Sequence, residues 1–503
     1  MSGHGWSWLF FGAYIAAVVV IAWRAQRATR SLESYSVGSR QVSPYMVGLS
    51  LAASMTSAAT FVVNPGLLYL YGWAGFLGYA IASPLGIFIG LTVFSKAFRR
   101  LGDRTNVLTV PQWIGDRFGD RRLTVFFAIL SLLQITFLVL ITVGLAVVLR
   151  NSLGIPIGWA LTIVVGFPFT YILLGGAAAH IRTNTIQAII MIVVALVFLG
   201  SGAHLFRDGI GGFFERLAAV GPHYAATTNP DSLLFRDLFE VLVANFAIGL
   251  AIIMQPHIVS KALYLRSERD VNRYLATAMV VSALFFAVLI TGIFARLTLE
   301  GAPLAPDVVI ATYMVERFTP LLRALVMLGV LAAGFSTMEG ILVALSSIFS
   351  NDLLRNLLPA GRAGGDAWRA HSLRYARIFL VVLAPVTVWL SWRQITSPSL
   401  SVAIFAQNGV YGLFAATFVP VLFGIFVPRA SRFVILAAAL TALLIHFGIY
   451  YLELGPYHNN PAVPATLGLA GSLAVAVLGT LLTGGFRAVP AAAAQAAAEE
   501  ALR

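Results

Sequence analysis

LAASMTSAATFVVNPG, residues 51–66, carries no formal charge, yet four hydroxyls (Ser54, Thr56, Ser57 and Thr60) crowd its centre. Asn64, Pro65 and Gly66 follow. The stretch sits inside a long apolar run, where a plain membrane helix has no use for such residues. Ser and Thr side chains bond back to nearby backbone groups and compete with the helix ladder. An unwound turn at this depth is tolerated only where it is buried in protein or lines a cavity. Unwinding frees backbone carbonyls, and the neighbouring hydroxyls add further hard oxygens without burying a charge. Together these groups suit a small cation.

The rest of the chain sets this stretch in a membrane. It has 503 residues, 59% hydrophobic and only 11% charged, with mean hydropathy +0.88. Soluble chains carry about a quarter charged residues. A crossing helix takes about 20 apolar residues. The apolar runs are continuous and lack period-2 alternation, so helices are expected rather than a barrel. Cysteine is absent, which excludes disulfides, thiol catalysis and Cys-based metal sites. The first apolar run, Trp6–Trp23, has no basic segment before it, and Arg24, Arg27 and Arg30 come after it. It reads as a retained helix rather than a signal peptide, with its N-terminus outside.

Thirteen spans are expected, near 6–23, 42–71, 74–97, 123–149, 157–175, 186–206, 236–258, 274–296, 320–350, 374–392, 401–427, 433–452 and 466–485. Roughly three quarters of the Lys and Arg residues then fall in or beside alternate loops, Lys261 among them, which places those loops and the C-terminus in the cytoplasm. The +13 net charge is assigned to these loops and not to nucleic acid. The outer segments 207–235 and 297–319 have room for short surface helices. Residues 361–369 form a Gly-rich inner linker, and 488–503 a low-complexity tail.

Spans 2–6 and 7–11 make two sets of five that start on opposite sides of the membrane, as an inverted repeat requires. The first span of each set is interrupted, by residues 51–66 and by NFAIGLAIIMQPH (245–257). Paired discontinuous helices point to a binding site near the midplane. A second hydroxyl pair, Ser336 and Thr337, lies in LAAGFSTMEG (331–340).

Five segments now resemble one family. They are YSVGSRQVSPYMVGLSLAASMTSAATFVVNPGLLYLYG, TNTIQAIIM (183–191), QPHIVSKALYLRS (255–267), LAAGFSTMEGILVALSSIFSNDLL, and GLFAATFVPVLFGIFVPRAS (412–431). In this order and spacing the chain resembles the sodium/solute symporters over about residues 30–430, nearest in flavour to the pantothenate and monocarboxylate branch. The resemblance implies an all-α polytopic fold like that of a bacterial leucine transporter: a five-plus-five inverted repeat, one extra N-terminal helix and two C-terminal helices. The expected units are 1–41, 42–206, 207–235, 236–427 and 428–503.

The resemblance also implies a sodium site built from the carbonyls of Ala52, Met55 and Ala333 and the hydroxyls of Ser336 and Thr337. Solute is implied beside it, contacting Ser54, Thr56, Ser57 and Thr60, with Gln134, Gln407 and Asn408 as further candidates. Two departures matter. Many relatives have Asp where this chain has Asn184, and some have Asp where it has Ser54. Asn cannot titrate, so a proton relay through residue 184 is not expected, nor is a second sodium site that needs Asp.

The remaining intramembrane polar groups are weighed singly. Glu339, one turn from Ser336, is expected to line an inner vestibule and join the coupling. Glu240 reads as solvated near the outer mouth, and His257 as a satisfied structural hydrogen-bonder. His180, in HIRTN, shows no ligand partners. No Walker A loop, nucleophile elbow or HExxH motif is present, which argues against an ATP-driven pump of that type and against a membrane enzyme. The expected function is a multi-pass inner-membrane symporter, coupling Na⁺ entry to uptake of a small polar solute, with an organic acid or monocarboxylate preferred. Its partners are that solute and the lipid bilayer. The alternatives are proton coupling with Glu339 as carrier, or a channel-like or sensory protein without coupled uptake.

Overall fold

The computed structural model describes residues 3–27, 29–37, 42–105, 107–299, 304–359, 366–397 and 401–485. The tail 488–503, linker residues 361–365, and Gly38 and Arg40 ahead of the first broken span lie outside them.

Two of the crossings are broken. The first consists of α2 (Pro44–Met55) and α3 (Ala59–Tyr71), bent by 54°. Pro44 starts α2 just after Ser43, a position where its missing N–H costs nothing. At Thr56 the backbone turns extended (φ −106°, ψ 94°), and α3 begins with a π-helical turn at Ala59–Val63. The second consists of α8 (Phe239–Ile252) and α9 (Pro256–Tyr264), bent by 60°. Here Pro256 lacks the N–H that would continue the ladder, and Gln255 takes a non-helical ψ of 125° before it. The breaks therefore fall where the hydroxyl cluster and the Gln-Pro step placed them. The start of the first broken span is tied to the end of the second, since the Val42 amide donates to the Tyr264 carbonyl at 3.2 Å.

Among the described residues, ten further helices are long and apolar enough to cross a bilayer. They are α1 (His4–Gln26), α4 (Trp73–Arg100), α5 (Arg121–Leu153), α6 (Ile157–Ser201), α10 (Asp270–Thr298), α12 (Pro320–Leu357), α13 (His371–Thr396), α14 (Val402–Phe426), α15 (Arg432–Tyr451) and α16 (Ala462–Leu482). Two of the connections carry the expected short helices, α7 (Gly209–Val220) and α11 (Pro306–Arg317). With the broken pairs this makes twelve elements, one of which, α6, joins two helices across a kink. The expected spans 157–175 and 186–206 lie in the single 45-residue α6, without the loop expected at 176–185. A kink replaces that loop at Gly176 (φ 50°, ψ −141°). A side chain there would be strained, and a Cβ would meet Tyr35 Cδ2 at 2.5 Å.

Burial ranks the helices. In α12 and α14, 78% and 83% of the most apolar window is buried, against 28%, 22%, 33% and 28% in α1, α13, α15 and α16. The α12 helix packs against α6, α1 and α5, while α2 packs against α10, α6 and α12. The α12 helix thus lies against the first break, and the peripheral helices are the more exposed ones.

Candidate ion and solute site

The α12 helix brings Ser336 and Thr337 onto the end of α2. Ser336 Oγ donates to the carbonyls of Ala53 (2.8 Å) and Ala333 (2.7 Å). Thr337 Oγ1 donates to Ser54 O at 3.0 Å. Both hydroxyls are fully buried. A hydroxyl that donates keeps its lone pairs, so these oxygens stay able to accept a cation while pinning the two segments together. Ala52 O receives both the amide and the hydroxyl of Thr56, the latter at 2.5 Å. The expected ligands Ala52, Met55, Ala333, Ser336 and Thr337 thus come from the last turn of α2 and one turn of α12. They are neutral oxygens, suited to an ion that needs little charge compensation.

Beside the break lies a cavity with about 790 Å³ of unfilled space, including its mouth. Its walls include Met55, Ser57 and Thr60 from the first broken span, Tyr79 and Ser83 from α4, Asn245 from α8, and Gln407 and Tyr411 from α14. No lining side chain carries a formal charge. Ser57 Oγ accepts the Ala59 amide at 3.1 Å, so it caps the half-helix α3 from inside the cavity. Gln407 Nε2 donates to Tyr79 OH at 3.2 Å, joining two walls.

The expected solute contacts divide at this point. Ser57, Thr60 and Gln407 face the cavity, whereas Ser54, Thr56, Gln134 and Asn408 are engaged in packing. Thr56 turns back onto Ala52 O. Gln134 Nε2 meets His257 Nδ1 at 3.4 Å. Asn408 Nδ2 donates to Tyr451 OH (3.2 Å), and the Asn408 backbone carbonyl accepts from His446 Nε2 (2.9 Å), bracing α14 on α15. Once a helix unwinds, sequence spacing no longer says which hydroxyl faces which side.

Ser54 joins a buried network on the far side of the break. With both ends of its amide satisfied, Asn184 accepts from Ser54 Oγ (2.8 Å) and donates to Gln187 Oε1 (2.7 Å) and Glu339 Oε2 (3.1 Å). Glu339 also accepts from Tyr171 OH, Thr183 Oγ1 (2.5 Å) and Gln187 Nε2 (2.6 Å). It is enclosed by donors and does not face the inner vestibule as expected. A separate small cavity nearby is lined by His180, His257, Ser260, Tyr264, Gly340 and Ser347, among others. His257 Nε2 has no hydrogen-bond partner among the described residues while Nδ1 meets Gln134, so the expectation of a satisfied histidine holds at one ring nitrogen only.

Two further expectations change. Glu240 is not solvated at the outer mouth. It is buried, paired with Arg236 at 2.5 Å, and accepts from Asn460 Nδ2 at 2.9 Å. Lys261, counted among the inner-loop charges, is fully buried. Its ammonium lies 2.6 Å from Ser50 Oγ, 3.1 Å from Ser50 O and 3.0 Å from His180 Nε2. Its neighbours in sequence, Ala262 and Leu263, are apolar, which was the available sign that this segment is no loop.

Two broken helices lining one cavity, the first of them bonded to a central hydroxyl pair, form the arrangement of an ion-coupled membrane transporter. The comparisons agree. The model of the sodium:solute symporter family matches residues 35–445, and the chain belongs to that family. The sodium/pantothenate symporter of Escherichia coli is 27% identical over 471 residues, covering 90% of this chain and 92% of that protein. The sodium/pantothenate symporter of Haemophilus influenzae is 24% identical over 452 residues, covering 88% and 89%. A solved structure of a Na⁺-coupled sialic acid symporter, outward-open with substrate bound, superposes with a TM-score of 0.78 at 17% identity, covering 95% of this chain and 98% of that one. The relatives are transporters and not enzymes, and sodium is the coupling ion the family implies.

Proposed function

We propose that the protein imports a small organic acid together with Na⁺, by alternating access, with ion and solute bound on adjacent sides of the first helix break. The observation that carries this is the meeting of Ser336 and Thr337 with the end of α2, one residue from the cavity-lining Met55. Sodium at Ala52, Met55, Ala333, Ser336 and Thr337 stiffens the break and completes the wall the solute docks on. The inside-negative potential adds about 2.3 kcal/mol per charge per 100 mV to drive the cycle.

The uncharged lining sets the solute class. A solute with several charges finds no counter-charge in it, while one carboxylate meets hydroxyls, amides, the amide end of α3 and the adjacent sodium. The pantothenate symporters among the relatives lend support to a monocarboxylate. The inverted repeat, with α6 crossing twice about Gly176, belongs to the same proposal, as does an outside N-terminus. The length of α6 supports two crossings: 45 residues at 1.5 Å rise exceed the hydrocarbon core about twofold.

Uptake of a solute found by thermal-shift screening, with sodium replaced by choline at fixed pH in proteoliposomes, tests the coupling. Uptake is expected to vanish, and persistence in choline would rule out sodium coupling in favour of protons. For that solute, Gln407→Ala is expected to raise KM about five- to tenfold, the scale of one lost hydrogen bond. An unchanged KM would remove Gln407 from the solute site.

A further inference from the structure

Glu339 and Lys261 are both fully buried, and His180 joins them. An ammonium can only donate, so His180 Nε2 accepts from Lys261 Nζ at 3.0 Å. The ring proton therefore sits on Nδ1, which faces Glu339 Oε2 at 3.4 Å. The relay runs from a cation through a neutral ring to an anion. The other donors to Glu339 (Tyr171, Thr183, Gln187 and Asn184) are neutral, so they satisfy the carboxylate without balancing its charge. A buried charge without a counter-charge is very costly. Lys261 supplies that counter-charge.

The ammonium is also held as a small cation would be. Its acceptors are a carbonyl, a hydroxyl and a ring nitrogen, drawn from α2 and α6, while Lys261 itself stands on α9. Ser50 lies one helical turn before Ser54, and Asn184 bridges Ser54 to Glu339. The cluster therefore abuts the sodium oxygens directly. Those oxygens are neutral and the Lys261–Glu339 pair sums to zero, so one sodium ion raises the charge of this core by one.

We infer that Lys261 is a tethered cation occupying what would otherwise be a second metal-ion site, so that each carrier takes up one exchangeable sodium ion. This rests on the sodium-symport reading above. Removing the tethered charge frees Ser50 O, Ser50 Oγ and His180 Nε2 beside an uncompensated carboxylate, which is a site for a second sodium ion.

Equilibrium binding of ²²Na⁺ to the purified full-length carrier decides this. The wild type is expected to bind one ion with a hyperbolic isotherm. Lys261→Met, of similar length and no charge, is expected to bind two. Adding Glu339→Gln to Lys261→Met is expected to restore one ion. Two ions in the wild type, or an unchanged single isotherm in Lys261→Met, would overturn the inference while leaving the sodium reading intact. Absence of any saturable ²²Na⁺ binding in the wild type would instead overturn the sodium reading, and this inference with it. If Lys261→Met yields no monodisperse protein, recovery of folded carrier in the double variant supports charge balance. Failure to recover any counts against it.

Discussion

Replacing Ser336 and Thr337 together by alanine raises the sodium concentration for half-maximal uptake at least tenfold. The two hydroxyls are two of the five oxygens proposed to hold the ion, and no carboxylate stands in that set to compensate. They also donate to the carbonyls of Ala53 and Ser54, so they are the bond between α12 and the break. Losing them removes ligands and loosens the ligands that remain. A tenfold change needs only about 1.4 kcal/mol, modest for two buried oxygens around a cation. Thr337→Ser keeps the hydroxyl and is expected to change sodium dependence less than threefold. Sodium titration of uptake, on variants with wild-type elution profiles, checks both. An unshifted titration in the double variant would sink the site assignment.

The course of the chain was legible because lipid imposes simple rules. Continuous apolar runs mark crossings, and a proline after an apolar turn marks a break, as at Pro256. Ser336 and Thr337 stood out because adjacent hydroxyls in a core helix have little packing use. The kink at Gly176 was not legible as a kink, because Gly-Gly followed by polar residues reads equally as a loop. The partners of Ser54 and Thr56, Asn184 and the Ala52 carbonyl, were not legible because an unwound segment has no fixed period. Lys261 was missed for a different reason. A lysine at the inner end of an apolar run looks the same as a loop charge, and its partners Ser50 and His180 are far away in sequence. Only folding shows that α2, α6 and α9 converge there.

Gly249→Val abolishes the folded carrier, and it does so by moving two backbones apart. A Cβ at Gly249 would stand 2.0 Å from the carbonyl oxygen of Ser83, and one at Gly86 2.3 Å from that of Phe246. Each glycine thus faces the other helix's backbone, so α8 and α4 touch main chain to main chain. Overfilling a packed interior costs roughly 1–3 kcal/mol when side chains can shift, and here the obstacle cannot rotate away. Lipid tails are as apolar as the side chains, so helix contact rests on close packing and separation gains nothing in return. The same two helices supply Asn245 and Ile248, and Tyr79 and Ser83, to the cavity wall. Spreading them therefore also misplaces the solute contacts. Gly448→Val in α15 is the matched control, since a Cβ there meets nothing within 4 Å. Its elution profile and uptake are expected to stay near wild type. Gly249→Ala is expected to fold in reduced yield, with a raised solute KM in the surviving fraction. Size-exclusion profiles of the three variants, followed by uptake, rank them. A Gly249→Val carrier that elutes and transports like the wild type would show that the two helices do not meet at this glycine.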